Sequence, residues 1–177
     1  ILFVDAGSTG GTVEEIHKHI PSSTEIRKIR FLKQTDERGK GAAVRQGFAA
    51  ASGDILFILD SDISVEPEDM PKFYHAIIEG KGELVNGARL VYAMQAGAMQ
   101  FCNFIANHLF RLAFTWVLEQ PIRDTLCGTK VILKKDYDTL AAARGTFGNF
   151  DPFGDFDLLF GASKLALKIV DMPIRYR

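Results

Sequence analysis

The sequence predicts an α/β domain with a mostly parallel sheet and flanking helices, and three observations carry that expectation. Short apolar runs alternate with helical segments. Glycine-bearing loops follow the first runs, and the run at 55–59 is apolar on both faces, as parallel strands covered by helices are. At 177 residues and 47% hydrophobic content, a single domain over 1–177 is expected.

Taken in order, 1–4 reads as a strand, Asp5-Ala-Gly-Ser-Thr-Gly-Gly-Thr12 as a glycine-rich turn, and a helix begins near Val13. A second unit follows: a strand at 29–32, a charged glycine loop at 36–41 and an alanine-rich helix at 42–51, closed by Ser52-Gly53. The strand at 55–59 comes next, then a helix from Pro67 to about Glu79, with the proline in its first turn. Another strand is expected at 84–88, a long helical stretch at 92–118, and short strands at 131–133 and 169–170. The aromatic, turn-rich loop 147–155 leads into a helix at 156–167. Right-handed crossovers would bring the loops after Val4, Leu32 and Leu59 to one sheet edge, where open α/β sheets bind ligands.

Charge and composition exclude several classes. The net charge of −1, with both signs interspersed, offers no basic surface for nucleic acid. Cys102 and Cys127 have neither metal-site spacing nor disulfide density, so a reducing, cytoplasmic compartment is expected. His17, His19, His75 and His108 form no ligand pattern. Gln95, Gln100, Asn103 and Asn107 break the stretch 90–108, which argues against a spanning helix and leaves surface attachment open. Phe101, Phe104, Ile105, His108, Leu109, Leu112 and Phe114 recur at helical spacing beside Arg111. They read either as core, which is slightly favoured, or as an amphipathic element at a membrane interface.

The strongest chemical feature is Leu59-Asp60-Ser61-Asp62. On an extended backbone both carboxylates point the same way, toward one divalent ion; oxygen ligands suit Mg²⁺ or Mn²⁺. An isolated pair of this kind is more often two turn aspartates, so its context decides. That context is Gly39-Lys-Gly-Ala-Ala-Val-Arg-Gln-Gly47, then Ala51-Ser-Gly-Asp54, then the apolar run.

With these motifs in this order, the chain resembles the family 2 glycosyltransferases, whose GT-A fold is a Rossmann-like, nucleotide-diphospho-sugar-binding α/β fold. The segment at 1–12 resembles the family's V-D-D-G-S-T-D-G-T. Gly87-Ala-Arg89, Asp124-Thr-Leu-Cys-Gly-Thr-Lys130 and Val170-Asp-Met-Pro-Ile-Arg-Tyr-Arg177 resemble motifs of its polyprenyl-phosphate branch, which includes the dolichyl-phosphate mannose and glucose synthases.

The resemblance implies an inverting transferase moving a hexose from a UDP- or GDP-sugar to a polyprenyl phosphate, at the cytoplasmic face of a membrane. It implies residues 1–88 as the nucleotide-sugar half and 89–177 as the acceptor half. Asp62 would bind the metal, with Asp60 near it and the ribose; Asp5 and Lys40 would contact the nucleotide, and Arg45 would add positive field. Asp124 is the implied base or acceptor-orienting group, with Asp155 and Asp157 as fallbacks. Arg89 and Lys130 are candidates for an acceptor phosphate. Ala6 and Gly10 stand where the family has aspartates, and its opening strand and C-terminal continuation are expected to be missing, so the chain reads as a fragment. Transfer to a saccharide hydroxyl, and a non-catalytic nucleotide-sugar-binding module, remain as alternatives.

Overall fold

The computed structural model describes residues 1–35, 39–63, 65–89, 101–146 and 154–175, without the side chains of 101–108, 110 and 146. The chain packs as two compact units. One holds Ile1–Gly53 with Gly154, the other the remaining described residues from Asp54 onward. The division therefore falls at Gly53, and Asp60 and Asp62 lie in the same unit as Arg89 and Asp124.

In the first unit, β1 (Leu2–Asp5) pairs in parallel with β2 (Arg30–Lys33), Phe3 opposite Phe31. Between them runs α1 (Thr12–His19). Glu14 and Glu15 lie in its first turn and basic residues in its last, as the helix dipole favours. After β2 comes α2 (Lys40–Ala50), which packs on β1. The charged part of the preceding loop, Asp36, Glu37 and Arg38, lies outside the described residues. Its ends are tied by glutamines: Gln34 donates to the Gly39 carbonyl, and Gln46 bridges the Lys33 carbonyl and the Thr35 N–H.

The second unit is a four-stranded sheet in the order β3 (Ile55–Phe57), β5 (Lys130–Leu133), β4 (Leu84–Ala88), β6 (Ile169–Pro173). β4 and β6 are parallel, whereas β5 runs antiparallel to both β3 and β4. Three of the four strands thus share one direction. Every residue of β4 is buried.

Alternation along the strands sends Val85 and Val131 into a core with Phe73, Ala76 and Ile77 of α3 (Met70–Ile78). Leu84, Asn86, Lys130 and Ile132 point to the other face. Three further α-helices are described in this unit: α4 (Phe101–Leu118), α5 (Lys134–Ala143) and α6 (Asp155–Lys164). α5 follows β5 without a break and is absent from the sequence reading. Among the described residues, no helix is long and apolar enough to cross a membrane.

Candidate functional site

In the first unit the Asp5 carboxylate is occupied by its own loop. It accepts the N–H groups of Gly7 at 3.0 Å and Ser8 at 3.1 Å. Hydrogen bonding from Ser8 lowers its pKa despite desolvation, helped by the Gly7 N–H and Lys33. Lys40 is the first residue of α2, so it stands at a helix N-terminus, a position suited to anions. Behind it the backbone is tight: a Cβ on Gly154 would meet the Gly41 Cα at 2.8 Å.

In the second unit, β3 ends at Phe57, and Ile58 adds one more ladder bond to the Lys130 carbonyl. The Asp60 carbonyl then accepts the Ile63 N–H at 3.1 Å, closing a turn over Asp60-Ser61-Asp62-Ile63. The two aspartates therefore sit on a turn rather than on the extended strand that the alternation argument assumed. Asp60 is half-buried and Asp62 exposed, while Ile63 takes a left-handed backbone with φ 50°. A pair of hard oxygen donors on a turn fits Mg²⁺ or Mn²⁺, which accept one or two carboxylates and complete their shell with phosphate oxygens and water. Among the described residues there is no group of three or more metal-ligating side chains, so these two would have to be supplemented in that way.

Arg89 directly follows β4. Its Nε donates to Asp124 Oδ2 at 2.7 Å and its Nη2 to Oδ1 at 3.0 Å, a two-point clamp. The same carboxylate accepts the Arg89 N–H and the Leu126 N–H, each at 3.1 Å. The Asp124 side chain is 4% exposed and that of Arg89 28%, so the carboxylate is interior and the arginine side chain keeps partial exposure. Nearby, Gly87 lets β4 lie close to the segment that follows Asp124, since a Cβ there would meet Cys127 Sγ at 2.6 Å and the Thr129 carbonyl at 3.1 Å. Burial pushes the Asp124 carboxyl up, but Arg89 and the two N–H groups outweigh it and hold the pKa below the usual carboxylate value. A carboxylate so engaged suits orientation of Arg89 better than removal of a proton.

This balance predicts a change of sign. With its folded pKa depressed, Asp124 contributes stability above the ordinary carboxylate pKa, lost as pH falls through the lowered value. In Arg89→Ala, burial becomes the dominant influence and the folded pKa rises. The stability of this variant should then increase as pH falls from about 7.5 to about 5, a range in which the parent's contribution from Asp124 is present and constant. Denaturant midpoints at the two pH values measure it, and parallel curves would refute it.

Lys130 does not reach a surface. Its side chain is 0% exposed, and its ammonium is held by Asp155 Oδ1 at 2.8 Å and by the Cys127 carbonyl. Asp157 forms a second interior pair, with Arg144 at 2.7 Å. α4 divides its apolar residues: Phe114 stacks on Phe156 with ring centroids 5.3 Å apart, and Leu118 is buried. Leu109, Leu112 and Trp116, spaced along one helix face, point outward, with Trp116 82% exposed. The side chains of Phe101, Phe104, Ile105 and His108 lie outside the described set.

Two polar residues in this unit carry no role in the sequence reading. Asn86 donates to the Asp124 carbonyl and to Asp171 Oδ1, its cross-strand neighbour on β6. The signal was present, an asparagine inside an otherwise apolar strand.

The fold is GT-A. The chain superposes on glucosyl-3-phosphoglycerate synthase from Mycobacterium tuberculosis in complex with UDP, with a TM-score of 0.65 and 22% identity over 99% of this chain and 60% of that one. A second structure of that enzyme, in complex with Mn²⁺, UDP and glucosyl-3-phosphoglycerate, gives a TM-score of 0.67 at 22% identity, over the same shares of the two chains. The family model for glycosyl transferase family 2 matches residues 1–140, and the chain belongs to that family. Several of its relatives are dolichyl-phosphate or dolichol-phosphate transferases. Dolichyl-phosphate beta-glucosyltransferase of Dictyostelium discoideum is 27% identical over 99% of this chain and 54% of its own length. Dolichol-phosphate mannosyltransferase of Saccharomyces cerevisiae is 34% identical over 44% of this chain and 28% of its own length. The chain thus spans about half the length, or less, of these relatives.

Proposed function

We propose that this chain is the catalytic portion of a metal-dependent transferase that moves a hexose, with inversion, from a UDP- or GDP-sugar to a polyprenyl phosphate. One observation carries the reading. β3 and β4 both run antiparallel to the strand between them, so the Asp60–Asp62 turn and the Arg89–Asp124 pair leave the same edge of one sheet. A carboxylate turn suited to a donor diphosphate thereby shares an edge with a guanidinium suited to an acceptor phosphate.

Asp62 and Asp60 would hold the metal, which supplies charge neutralisation on the departing diphosphate when bound. Arg89, aimed by Asp124, would bind the acceptor phosphate through its fork. A phosphate oxygen forms the new bond to the anomeric carbon as the bond to the donor diphosphate breaks, and the nucleoside diphosphate leaves with the electron pair. A phosphate monoester, with a second pKa of about 6, is already largely ionised at neutral pH and needs no base. That matches an Asp124 whose oxygens are engaged, and it favours a phosphate over a saccharide hydroxyl. Asp5 and Lys40, in the first unit, are proposed nucleotide contacts, and calorimetry with UDP and GDP identifies the base they accept.

The decisive assay gives the whole protein labelled donor with polyprenyl phosphate and with glycan acceptors in separate reactions. Label is expected in the lipid; label in glycan alone would overturn the lipid reading, and no transfer with intact nucleotide binding would favour a binding module. We further propose that the outward face of α4 rests on the cytoplasmic surface of a membrane, as its exposed tryptophan and leucines support. Replacing Leu112 and Trp116 together by serine should weaken binding to phosphatidylcholine vesicles about tenfold, as read by sedimentation. Unchanged partitioning would count against that role.

A further inference from the structure

The Arg89–Asp124 clamp is supported from within the sheet. Asn86 is wholly buried, and its amide nitrogen donates to the Asp124 carbonyl at 2.7 Å and to Asp171 Oδ1 at 2.9 Å. The second oxygen of Asp171 accepts the Arg123 N–H at 2.8 Å. These bonds hold the Arg123–Asp124 segment at its N–H on one side and its carbonyl on the other. From that segment the Asp124 carboxylate takes Arg89 by its backbone N–H, Nε and Nη2.

The arrangement costs stability. Among the described residues the buried Asn86 Oδ1 has no hydrogen-bond partner, a penalty an apolar residue would not incur. Burial also pushes the Asp171 carboxyl above its usual pKa, against the hydrogen bonds from Asn86 and Arg123 and the charge of Arg123, with Asp124 adding to the rise. Leucine at 86 would continue the apolar run of β4 and fill similar volume. Two costly polar groups, paired in register across β4 and β6 and bonded to the segment that carries the clamp, indicate a requirement for orientation.

We infer that Asn86 and Asp171 are positioning residues: they fix the Arg123–Asp124 backbone and, through Asp124, the direction in which Arg89 presents its guanidinium to the acceptor phosphate. The inference rests on the proposed reading of Arg89 as the acceptor-phosphate ligand. Neither residue touches substrate; both act through Asp124.

The test is steady-state kinetics on the whole protein with polyprenyl monophosphate in detergent micelles, varying acceptor and donor separately. The variants are Asn86→Leu, Asp171→Asn, Arg89→Lys, and each of the first two combined with Arg89→Lys. Asn86→Leu and Asp171→Asn should each raise the acceptor KM about tenfold, with the donor KM within about twofold of the parent. Once Arg89 is lysine, which keeps the charge but loses the fork, neither substitution should raise the acceptor KM further. If the acceptor KM is unchanged in Arg89→Lys, the phosphate reading falls and the inference with it. If Arg89→Lys raises it but the second substitution adds its full effect, or shifts donor and acceptor KM alike, the inference alone is overturned. Asp171→Asn, which preserves shape, gives the same comparison if Asn86→Leu does not fold.

Discussion

Asp62→Ala should lower sugar transfer about a thousandfold while shifting the melting temperature by no more than about 2 °C. The side chain is exposed on a turn, so its removal opens no cavity and breaks into no core. Its proposed contribution to transfer is made to a bound metal and donor diphosphate, and surface polar contacts on a turn contribute little to stability. Neutralising charge on the leaving group is worth several kcal/mol, and about 4 kcal/mol corresponds to the thousandfold loss. Asp62→Asn should be nearly as inactive, because an amide oxygen brings no net charge to the ion. Mn²⁺ binding followed by paramagnetic resonance gives a second readout without turnover, and affinity should fall in Asp62→Ala. A variant that retains parental rate and parental Mn²⁺ affinity would remove Asp62 from the site.

The sequence made the order of elements legible because apolar runs and glycine breaks mark where strands stop. β4 matches its expected span, 84–88, since an apolar run there ends on Gly87-Ala-Arg89. α5 escaped notice because β5 passes into it at Leu133 with neither glycine nor proline to punctuate the change. Strand direction is equally silent in the sequence: an apolar run such as 131–133 has no polarity, and the antiparallel placement of β5 is set by its pairing with β3 and β4. Residues 36–38 of the charged loop and 147–153 of the aromatic loop fall outside the described residues.

At the site, residue identity was easier to read than relationship. Arg89 and Asp124 both stood out by motif, yet their mutual clamp links positions 35 apart and is invisible to local pattern. The Asp60–Asp62 pair was legible, but the turn that bears it was not, because the apolar run continues through Leu59 while the strand stops at Phe57. Asn86 and Asp171 take their meaning from parallel pairing of β4 with β6, a contact across 85 positions. Periodicity identifies faces. It does not say which polar group on one face meets which on another.

Lys130 separates those two kinds of information most sharply, and its replacement should have the largest effect on stability. A lysine next to an apolar run suggests an end that reaches solvent or a phosphate, yet its ammonium is interior, with Asp155 only 8% exposed beside it. Lys130→Met removes one charge and leaves the other carboxylate in a site of low dielectric, a loss of about 3–5 kcal/mol. For a chain of this size that is a melting-temperature drop of roughly 6–20 °C. Lys130→Met with Asp155→Leu should recover most of the loss, because apolar replacement of a whole buried pair is often neutral. Thermal unfolding of the two variants tests the pairing. The double variant also tests whether Lys130 serves the acceptor: an interior strut predicts an acceptor KM near the parent's, whereas a phosphate ligand predicts a raised KM that restored stability does not correct.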